Sequence, residues 1–215
     1  MVSHLTNNET YFFREQPQLA VFSGLVLDAI KARKAGTAEK RVQVLSAGCS
    51  TGEEPLTLAM IVFDSGRFFW GWDVRVTGLD VDGTALEAAR RGLYHQNSLR
   101  AVPKAALDRH FVLDGAGVRV KEAARRSVSF RVGNILDPAS YAGLAPLDAV
   151  FCRNVLIYFS DAAVQRAVSL FHEALAPGGY LFLGHAESLG RVTSAFVPIR
   201  FQGAILYQKP EETPS

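Results

Sequence analysis

Residues 42–58, VQVLSAGCSTGEEPLTL, carry the pattern that decides the fold. An apolar run of strand length leads into a turn in which Gly48, Ser50 and Gly52 alternate with other small residues, and Pro55 then opens a helical pattern. A strand, a glycine-rich turn and a helix in this order are typical of a nucleotide-type cofactor site. Small residues allow a ligand to approach the backbone, and the N–H groups of the first helical turn point towards it.

The two acidic residues after the turn restrict the kind of ligand. Glu53 and Glu54 follow Gly52 directly, and carboxylates at this position would repel a pyrophosphate. They suit a ligand with a cationic ammonium group, which S-adenosylmethionine carries and NAD lacks. The alternative is that both carboxylates only complement the helix dipole.

Composition sets broad limits on the function. The chain has 215 residues, 48% of them hydrophobic, and a net charge of +2, which fits one α/β domain and gives no indication of nucleic-acid binding. Cys49 and Cys152 show no metal-ligand spacing, so we expect reduced, buried thiols and no metal site. The sequence shows no signal peptide and no apolar run long enough to span a bilayer, so we expect a cytoplasmic protein without membrane insertion.

Polar residues follow several predicted strands. Residues 74–79 form a strand that ends in Asp80, where a carboxylate can accept hydrogen bonds from ribose hydroxyls, and Asp82 is predicted to cap the next helix. Another strand ends on Asn134, and the apolar run 147–152 leads into Arg153 and Asn154. Because the C-terminal ends of parallel strands line the ligand crevice, we expect these side chains beside the glycine turn.

Two regions depart from the strand–helix alternation. Residues 94–132 contain short strand patterns around a DGAG turn, followed by Arg125 and Arg126, which are either surface charge or part of an edge that docks an acidic peptide. The tail, FVPIRFQGAILYQK, predicts a hairpin about a QG turn. The pattern as a whole predicts about six or seven strands in the main sheet.

These residues resemble one family, the CheR-type chemotaxis receptor glutamate O-methyltransferases. The similarity is carried by NETYFFRE (8–15), SAGCSTGEEP (46–55), LDVD (79–82), FCRNVLIYF (151–159) and GHAESL (184–189), in this order along the chain. The resemblance implies a Rossmann-like fold with a mostly parallel seven-stranded sheet, a terminal antiparallel strand and a small inserted antiparallel β-subdomain.

The resemblance also implies a domain organisation and a cofactor, S-adenosylmethionine, with S-adenosylhomocysteine as the product. We expect residues 1–40 to close over the cofactor, residues 41–209 to form the methyltransferase domain with the β-subdomain at about 108–132, and residues 210–215 to be a disordered tail. By motif, Glu53 would hold the amino group of the cofactor and Asp80 its ribose. Further contacts are implied for Asn8, Thr10, Arg14, Gly48, Ser50, Gly52, Val81, Asn134, Ile135, Asn154 and Val155.

The chemistry implied by the resemblance needs little acid–base catalysis. A glutamate carboxylate, with a pKa of about 4.3, is ionised at neutral pH and can attack a sulfonium methyl without a general base. Arg14 and Arg153 are candidates for orienting that carboxylate, although Arg153 could instead pair with an acidic residue behind the sheet. Tyr158 either walls the transfer site or belongs to the core. For His185 and Glu187 we expect structural hydrogen bonding rather than catalysis.

The resemblance implies a partner, the cytoplasmic helical signalling region of chemoreceptors, with a receptor-tethered peptide at the β-subdomain. Two alternatives remain open: a module that binds S-adenosylmethionine without turnover, and a methyltransferase for another carboxylate. Family members usually carry a helical domain before the NxTxFFR block, whereas seven residues precede Asn8 here, so the resemblance leaves the mode of receptor docking open.

Overall fold

The computed structural model describes residues 10–38, 40–144, 146–190, 192–201 and 203–211. The predicted contact of Asn8 and most of the predicted disordered tail lie outside these residues. No helix in the described ranges is long and apolar enough to cross a membrane.

The described residues contain ten strands in two sheets. Their bounds are β1 (Arg41–Ala47), β2 (Asp73–Asp80), β3 (Leu93–Tyr94), β4 (Phe111–Asp114), β5 (Gly117–Val120), β6 (Val128–Val132), β7 (Leu147–Cys152), β8 (Leu175–Leu183), β9 (Val197–Phe201) and β10 (Ala204–Gln208).

The helices lie between the strands of the main sheet and before its first strand. The α-helices are α1 (Gln16–Val21), α2 (Leu27–Lys34), α3 (Glu53–Asp64), α4 (Gly83–Arg91), α5 (Lys104–His110), α6 (Glu122–Arg125) and α7 (Asp161–Ala174), and a π-helical turn, Phe22–Val26, joins α1 to α2. Short 3-10 turns span Gln96–Leu99, Pro138–Tyr141 and Leu156–Tyr158.

The large sheet has the strand order β6-β2-β1-β7-β8-β10-β9. Strands β1, β2, β6, β7 and β8 run parallel, and the β9–β10 hairpin pairs antiparallel with β8. The predicted mostly parallel seven-stranded sheet and its terminal hairpin are therefore confirmed. After β1 the chain adds β2 and β6 on one side of β1, and then adds β7 and β8 on the other side. The switch point, where the strand order reverses, therefore lies between β1 and β7. In folds of this class the ligand crevice opens there, at the C-terminal ends of the strands.

The small antiparallel sheet has the order β3-β5-β4. It begins at Leu93, before the expected residue 108, because β3 pairs with β5. Residues 128–132, which we had assigned to the insertion, pair parallel with β2 in the large sheet, and Val76 N–H donates to the Ser127 carbonyl at the start of this ladder. The two-residue strand β3 is too short to show a sequence period, which explains why its pairing was not predicted.

Aromatic packing fixes the centre of the large sheet. Phe151 on β7 and Phe182 on β8 stack with ring centroids 4.2 Å apart, and Phe22 meets Phe151 edge-on at 5.1 Å. Every residue of β7 is buried, as its apolar run, interrupted only by Asp148, predicts for a central parallel strand. Asp82 caps α4 as predicted, because its carboxylate accepts from the N–H groups of Thr84 and Ala85.

A buried ion cluster joins α2 to the opposite end of the sheet from the switch point. The Asp148 side chain is fully buried and accepts hydrogen bonds of 2.6 Å from both Arg33 and Lys34. Its Oδ2 also accepts from the Gln43 N–H at 2.9 Å. One carboxylate therefore ties β7 to β1 and to α2.

We predict that Asp148→Ala lowers the free energy of unfolding by about 3 to 5 kcal/mol, because it leaves two basic groups without their buried partner. The measurement is urea denaturation followed by circular dichroism. The matched control is Asp108→Ala, since Asp108 is exposed and pairs with the exposed Lys104 at 3.4 Å, and we expect it to cost less than about 0.5 kcal/mol. Equal losses in the two variants would contradict the assigned role of Asp148.

Candidate functional site

A cavity of about 260 Å³ lies at the switch point, and we call it the switch-point cavity. Its walls come from the turn after β1, the tips of β2, β6 and β7, and the segment before α1. It is lined by Thr10, Tyr11, Arg14, Gly48, Cys49, Ser50, Glu54, Asp80, Val81, Asp82, Ala85, Gly133, Asn134, Ile135, Arg153, Asn154, Val155, Tyr158 and Phe159.

The structure brings together most of the predicted site residues. Thr10, Arg14, Gly48, Ser50, Asp80, Val81, Asn134, Ile135, Arg153, Asn154, Val155 and Tyr158 all line the cavity, whereas Gly52 and Glu53 do not. Sequence reasoning did not identify Tyr11, Cys49, Asp82, Ala85, Gly133 and Phe159 as lining residues. It predicted that the pair of Glu53 and Glu54 suits an ammonium group, but it assigned the contact to Glu53.

The glycine turn approaches the cavity as closely as predicted. Gly48 has φ +77°, and a Cβ at this position would lie 2.5 Å from Val155 Cγ2. Ser50 has φ +48°, a conformation that non-glycine residues seldom adopt. Gly52 instead packs away from the cavity, since a Cβ there would lie 2.7 Å from that of Ala89. Its absence of a side chain serves the contact between α3 and α4.

The Asp80 carboxylate is oriented by backbone groups at the tip of β2. Oδ2 accepts from the Ser50 N–H at 2.7 Å and Oδ1 from the Asp82 N–H at 2.9 Å. Each carboxylate oxygen can accept a further hydrogen bond. Asp80 is thus held in place with acceptor capacity for hydroxyl groups in the cavity.

The two acidic residues after the turn have different environments. Glu53 is 2% exposed, and its carboxylate accepts from the hydroxyls of Thr51 at 2.7 Å and Ser98 at 3.2 Å. Burial raises the pKa of the Glu53 carboxyl above its ordinary value, and the hydrogen bonds from Thr51, Ser98 and Thr10 partly oppose that shift. Glu54 lines the cavity and accepts from Ser46 Oγ at 2.7 Å. Of the pair, Glu54 is therefore the carboxylate at the cavity wall.

Arg153 forms a buried ion pair with Glu54. Its Nε donates to Glu54 Oε2 at 2.6 Å, and Nη1 donates to the Arg14 carbonyl at 2.9 Å. Nη1 also lies 3.9 Å from Glu15 Oε2, and the Arg153 side chain is only 3% exposed. Arg153 pairs with an acidic residue, as one of the two interpretations from the sequence has it, but this partner lines the cavity and does not lie behind the sheet. Whether the same guanidinium also orients a substrate stays a prediction.

The segment after β7 is held by Glu187. Its carboxylate accepts from the backbone N–H groups of Asn154, Val155, Ile157 and Gly184 at distances of 2.5 to 3.2 Å. The expected structural role of Glu187 is confirmed by these four hydrogen bonds. His185, two residues away, is exposed.

Asn154 presents a buried acceptor at the cavity wall. It has φ +61°, and its side-chain Oδ1 is buried without a hydrogen-bond partner in the part of the chain that the structure describes. A buried amide oxygen without a donor is energetically costly, which favours a ligand donor beside it. Asn134, on the other side of the cavity, has its Oδ1 bonded to the Leu136 N–H at 2.9 Å.

The segment before α1 is anchored over the cavity by the body of the protein. Phe12 is fully buried, meets Tyr94 and Phe111 edge-on, and donates its N–H to the Ser98 carbonyl at 2.9 Å. Arg14 and Tyr158 line the cavity, and Tyr158 is 57% exposed, which excludes the core position that we considered for it.

Both cysteines are free thiols and buried, as predicted. Burial raises the pKa of the Cys49 and Cys152 thiols well above their usual values, so both are protonated at neutral pH. Cys49 contributes to the cavity wall as a small apolar group.

The cavity fits an ammonium-bearing nucleoside. Three lining residues, Glu54, Asp80 and Asp82, supply carboxylate acceptors for an ammonium group and for hydroxyls, and the amide residue Asn154 lies beside them. Gly48 lines the cavity, and its missing side chain allows Val155 to pack against the turn. A pyrophosphate would meet these carboxylates, so the donor set disfavours a dinucleotide.

Comparison with known sequences gives a family match over nearly the whole chain. Residues 8–205 match the family model described as "CheR methyltransferase, SAM binding domain". The chain is 36% identical over 213 residues to "Chemotaxis protein methyltransferase 2" of Vibrio cholerae, covering 99% of this chain and 73% of that protein. It is 37% identical to "Chemotaxis protein methyltransferase 1" of Pseudomonas aeruginosa, covering 97% and 76%. It is also 35% identical to the "Probable biofilm formation methyltransferase WspC" of Pseudomonas aeruginosa, covering 96% and 48%.

Solved structures of methyltransferases share the fold. An O-methyltransferase family protein from Burkholderia thailandensis matches 93% of this chain and 57% of its own, with a TM-score of 0.53 at 15% identity. The N-methyltransferase NodS from Bradyrhizobium japonicum, crystallised with S-adenosyl-L-homocysteine, matches 95% of this chain and 90% of its own, with a TM-score of 0.50 at 17% identity. The fold is therefore that of Rossmann-like methyltransferases.

The raised pKa of Glu53 predicts a pH dependence of stability. The folded protein binds this proton more tightly than the unfolded chain, so Glu53 lowers stability progressively as the pH rises from the ordinary value of 4.5 through the folded value. We therefore expect Glu53→Gln to become more favourable, relative to the unchanged protein, as the pH rises through that window.

The measurement is urea unfolding of both proteins at several pH values from about 4 to 8. Glu87→Gln is the matched control, since Glu87 is exposed on α4. A difference in unfolding free energy between Glu53→Gln and the unchanged protein that stays constant over the whole range would contradict the prediction.

Proposed function

Since the chain belongs to the CheR methyltransferase family, we propose that it transfers the methyl group of S-adenosylmethionine to glutamate carboxylates of chemoreceptors and forms glutamyl methyl esters. The cofactor and the reaction type, methyl transfer from S-adenosylmethionine, follow from the family and from the relatives named above. The observation that carries the proposal is the switch-point cavity, whose wall combines Glu54, Asp80 and Asn154, a residue whose buried side-chain oxygen has no partner among the described residues.

We assign the cofactor contacts from the geometry of the wall. Asp80 would accept from the ribose hydroxyls, because backbone N–H groups hold both of its oxygens at the tip of β2. Glu54 and Asn154 would surround the ammonium group, since both residues line the cavity. The sequence suggested this contact for Glu53. In this proposal Glu53 would not touch the ammonium group but would fix the start of α3 through its hydrogen bonds with Thr51 and Ser98. Thr10, Asn134 and Ile135 would complete the binding surface.

The bound cofactor supplies an electrophilic methyl group on a sulfonium. The protein has to bring a carboxylate to within about 3 to 3.5 Å of that methyl, in line with the sulfur, and effective molarity then supplies much of the acceleration. No proton has to be removed from an ionised carboxylate. Catalysis in this proposal therefore rests on positioning. Hydrogen bonds between backbone groups and the side chains of Asp80, Arg153 and Glu187 hold the cavity wall in place for it.

Arg14 and Tyr158 are placed where a substrate carboxylate would approach. Both line the cavity, and the exposure of Tyr158 puts it at the cavity opening. The Arg14 guanidinium can attract an anionic side chain, while the Tyr158 ring can border the space through which the methyl group is transferred. Arg153, bonded to Glu54 and to the Arg14 carbonyl, would position these groups rather than bind the carboxylate itself.

We further propose that the partner is the cytoplasmic helical signalling region of chemoreceptors, which would place the protein in the cytoplasm. The small sheet would dock a receptor-tethered peptide as an added strand. Strand β4 supports this, because its Val112 and Leu113 are 49% and 78% exposed and β5 is its only neighbour among the described strands. Residues 1–40 would close over the cofactor, in keeping with the cavity contacts of Thr10, Tyr11 and Arg14.

The test of the function is transfer of labelled methyl from S-adenosylmethionine to a purified receptor signalling fragment. We expect label in the fragment that mild alkali releases as methanol, and we expect Asp80→Asn to reduce it through weaker cofactor binding. Label that resists alkali would exclude an ester. Calorimetric binding of S-adenosylhomocysteine without transfer to receptor fragments would favour the module without turnover.

The role of Asn154 can be separated from that of its backbone. We predict that Asn154→Gly, which keeps the positive φ without strain, weakens S-adenosylhomocysteine binding about tenfold or more, since a hydrogen bond to a charged group contributes about 1.5 to 3 kcal/mol. The measurement is isothermal titration calorimetry. Asn154→Ala is the companion variant, because it removes the amide and also strains the backbone. Full affinity in the glycine variant combined with a loss in the alanine variant would assign the effect to the backbone and contradict the prediction.

A further inference from the structure

A second, smaller cavity lies next to the switch-point cavity. It has a volume of about 210 Å³ and is lined by Glu15, Gln18, Gly184, His185, Glu187 and Ile205, among others, and we call it the acidic pocket. The two cavities share a wall: Glu187 Oε2 accepts from the N–H of Gly184 on one side and of Asn154 on the other. Arg153, which lines the first cavity, has its Nη1 3.9 Å from Glu15 Oε2.

Two residues that line the acidic pocket each carry a buried acceptor for which the described residues supply no donor. Gln18 is 7% exposed, and its Nε2 donates to the Leu183 carbonyl at 2.6 Å. Because a carbonyl needs a donor, this bond fixes the orientation of the amide, and Gln18 Oε1 is then buried without a hydrogen-bond partner. Glu15 Oε2 is likewise buried without one.

The charge of the acidic pocket is negative. Its walls contain the carboxylates of Glu15 and Glu187, and the described residues that line it include no lysine or arginine. The four hydrogen bonds that Glu187 accepts come from neutral backbone groups. The nearest guanidinium, that of Arg153, hydrogen bonds to Glu54 and to the Arg14 carbonyl. A ligand with several donors and a positive charge would satisfy both acceptors and balance this charge.

We propose that the acidic pocket binds a cationic side chain, an arginine or a lysine, of the polypeptide substrate. This inference rests on the proposed function and adds a specificity determinant to it. Arg14 and Glu15 are consecutive, and Arg14 lines the switch-point cavity while Glu15 lines the acidic pocket. A substrate segment with a carboxylate at the first cavity therefore has a neighbouring side chain within reach of the second. The enzyme thus selects a glutamate that has a basic residue near it on the same surface.

Binding can be tested without any methyl transfer. The full chain, saturated with S-adenosylhomocysteine, is titrated with N-acetylarginine N-methylamide and followed by nuclear magnetic resonance. We expect saturable shifts of the Gln18 side-chain amide and of the Gly184 and Gly203 backbone amides. The citrulline analogue, which has the same shape without the charge, should bind at least about tenfold more weakly. Shifts that are absent from these groups, or equal for the two probes, would overturn the proposal.

The charge of Glu15 can be removed with little change of shape. Glu15→Gln should weaken arginine-probe binding about tenfold or more. The same change at Glu173, on the exposed surface of α7, should leave probe binding unaltered. Retained S-adenosylhomocysteine affinity shows that Glu15→Gln folds. Unchanged probe binding in a folded Glu15→Gln variant would contradict the proposal.

Kinetics then connect the acidic pocket to the substrate. With a receptor fragment as acceptor, Glu15→Gln should raise KM for the fragment severalfold and leave kcat nearly constant, whereas a general structural defect would lower kcat and cofactor affinity as well. A KM equal to that of the unchanged protein would overturn the proposal. If the unchanged protein methylates no receptor fragment, the proposed function fails, while the probe titration still decides whether the pocket binds a cation.

Discussion

The Arg153 ion pair is the interaction on which the candidate site depends. One guanidinium, almost entirely buried, bonds to Glu54 on α3 and to the Arg14 carbonyl in the segment before α1. It therefore joins the tip of β7, the first turn of α3 and the segment above the cavity. A buried charge needs its partners in place, since an unpaired one would cost several kcal/mol. The ion pair thus holds three chain segments in one arrangement, and the cavity wall is formed by that arrangement.

Carboxylates elsewhere in the fold have a similar organising role. Glu187 collects four backbone N–H groups, Asp80 orients the glycine turn, and Asp148 joins α2 to two strands at the opposite end of the sheet. Each accepts hydrogen bonds from groups that local secondary structure leaves without a partner. These hydrogen bonds and ion pairs join the segments of the site, and the described residues contain neither a metal-binding cluster nor a disulfide.

Sequence reasoning predicted the elements that leave a local signal. Strands β1, β2 and β7 are rich in apolar residues, the sequence pattern predicts the terminal hairpin, and the motif residues lie at strand ends, so the sheet and most of the cavity lining were predictable. The orientation of the acidic pair was not, because Glu53 is buried by Ser98 and Thr10, which come from distant parts of the chain. The partner of Arg153 also depended on tertiary packing. The acidic pocket combines residues 15–18, 183–187 and 203–205, and no local pattern connects these stretches.

The backbone conformations around the site have a consequence for directed evolution. The described residues that are not glycine and have positive φ are Phe13, Glu15, Ser50 and Asn154, and all four lie in segments that border the two cavities. Left-handed conformations of this kind cost about 1 to 3 kcal/mol each, and they persist where the surroundings enforce them. A screen for thermostability would therefore enrich glycine, or other residues that adopt positive φ with little strain, at these positions. The most heat-resistant variants would then hold the residues around the two cavities less firmly. Stability would rise at the expense of turnover, because the strained backbone conformations that lower stability also position the site.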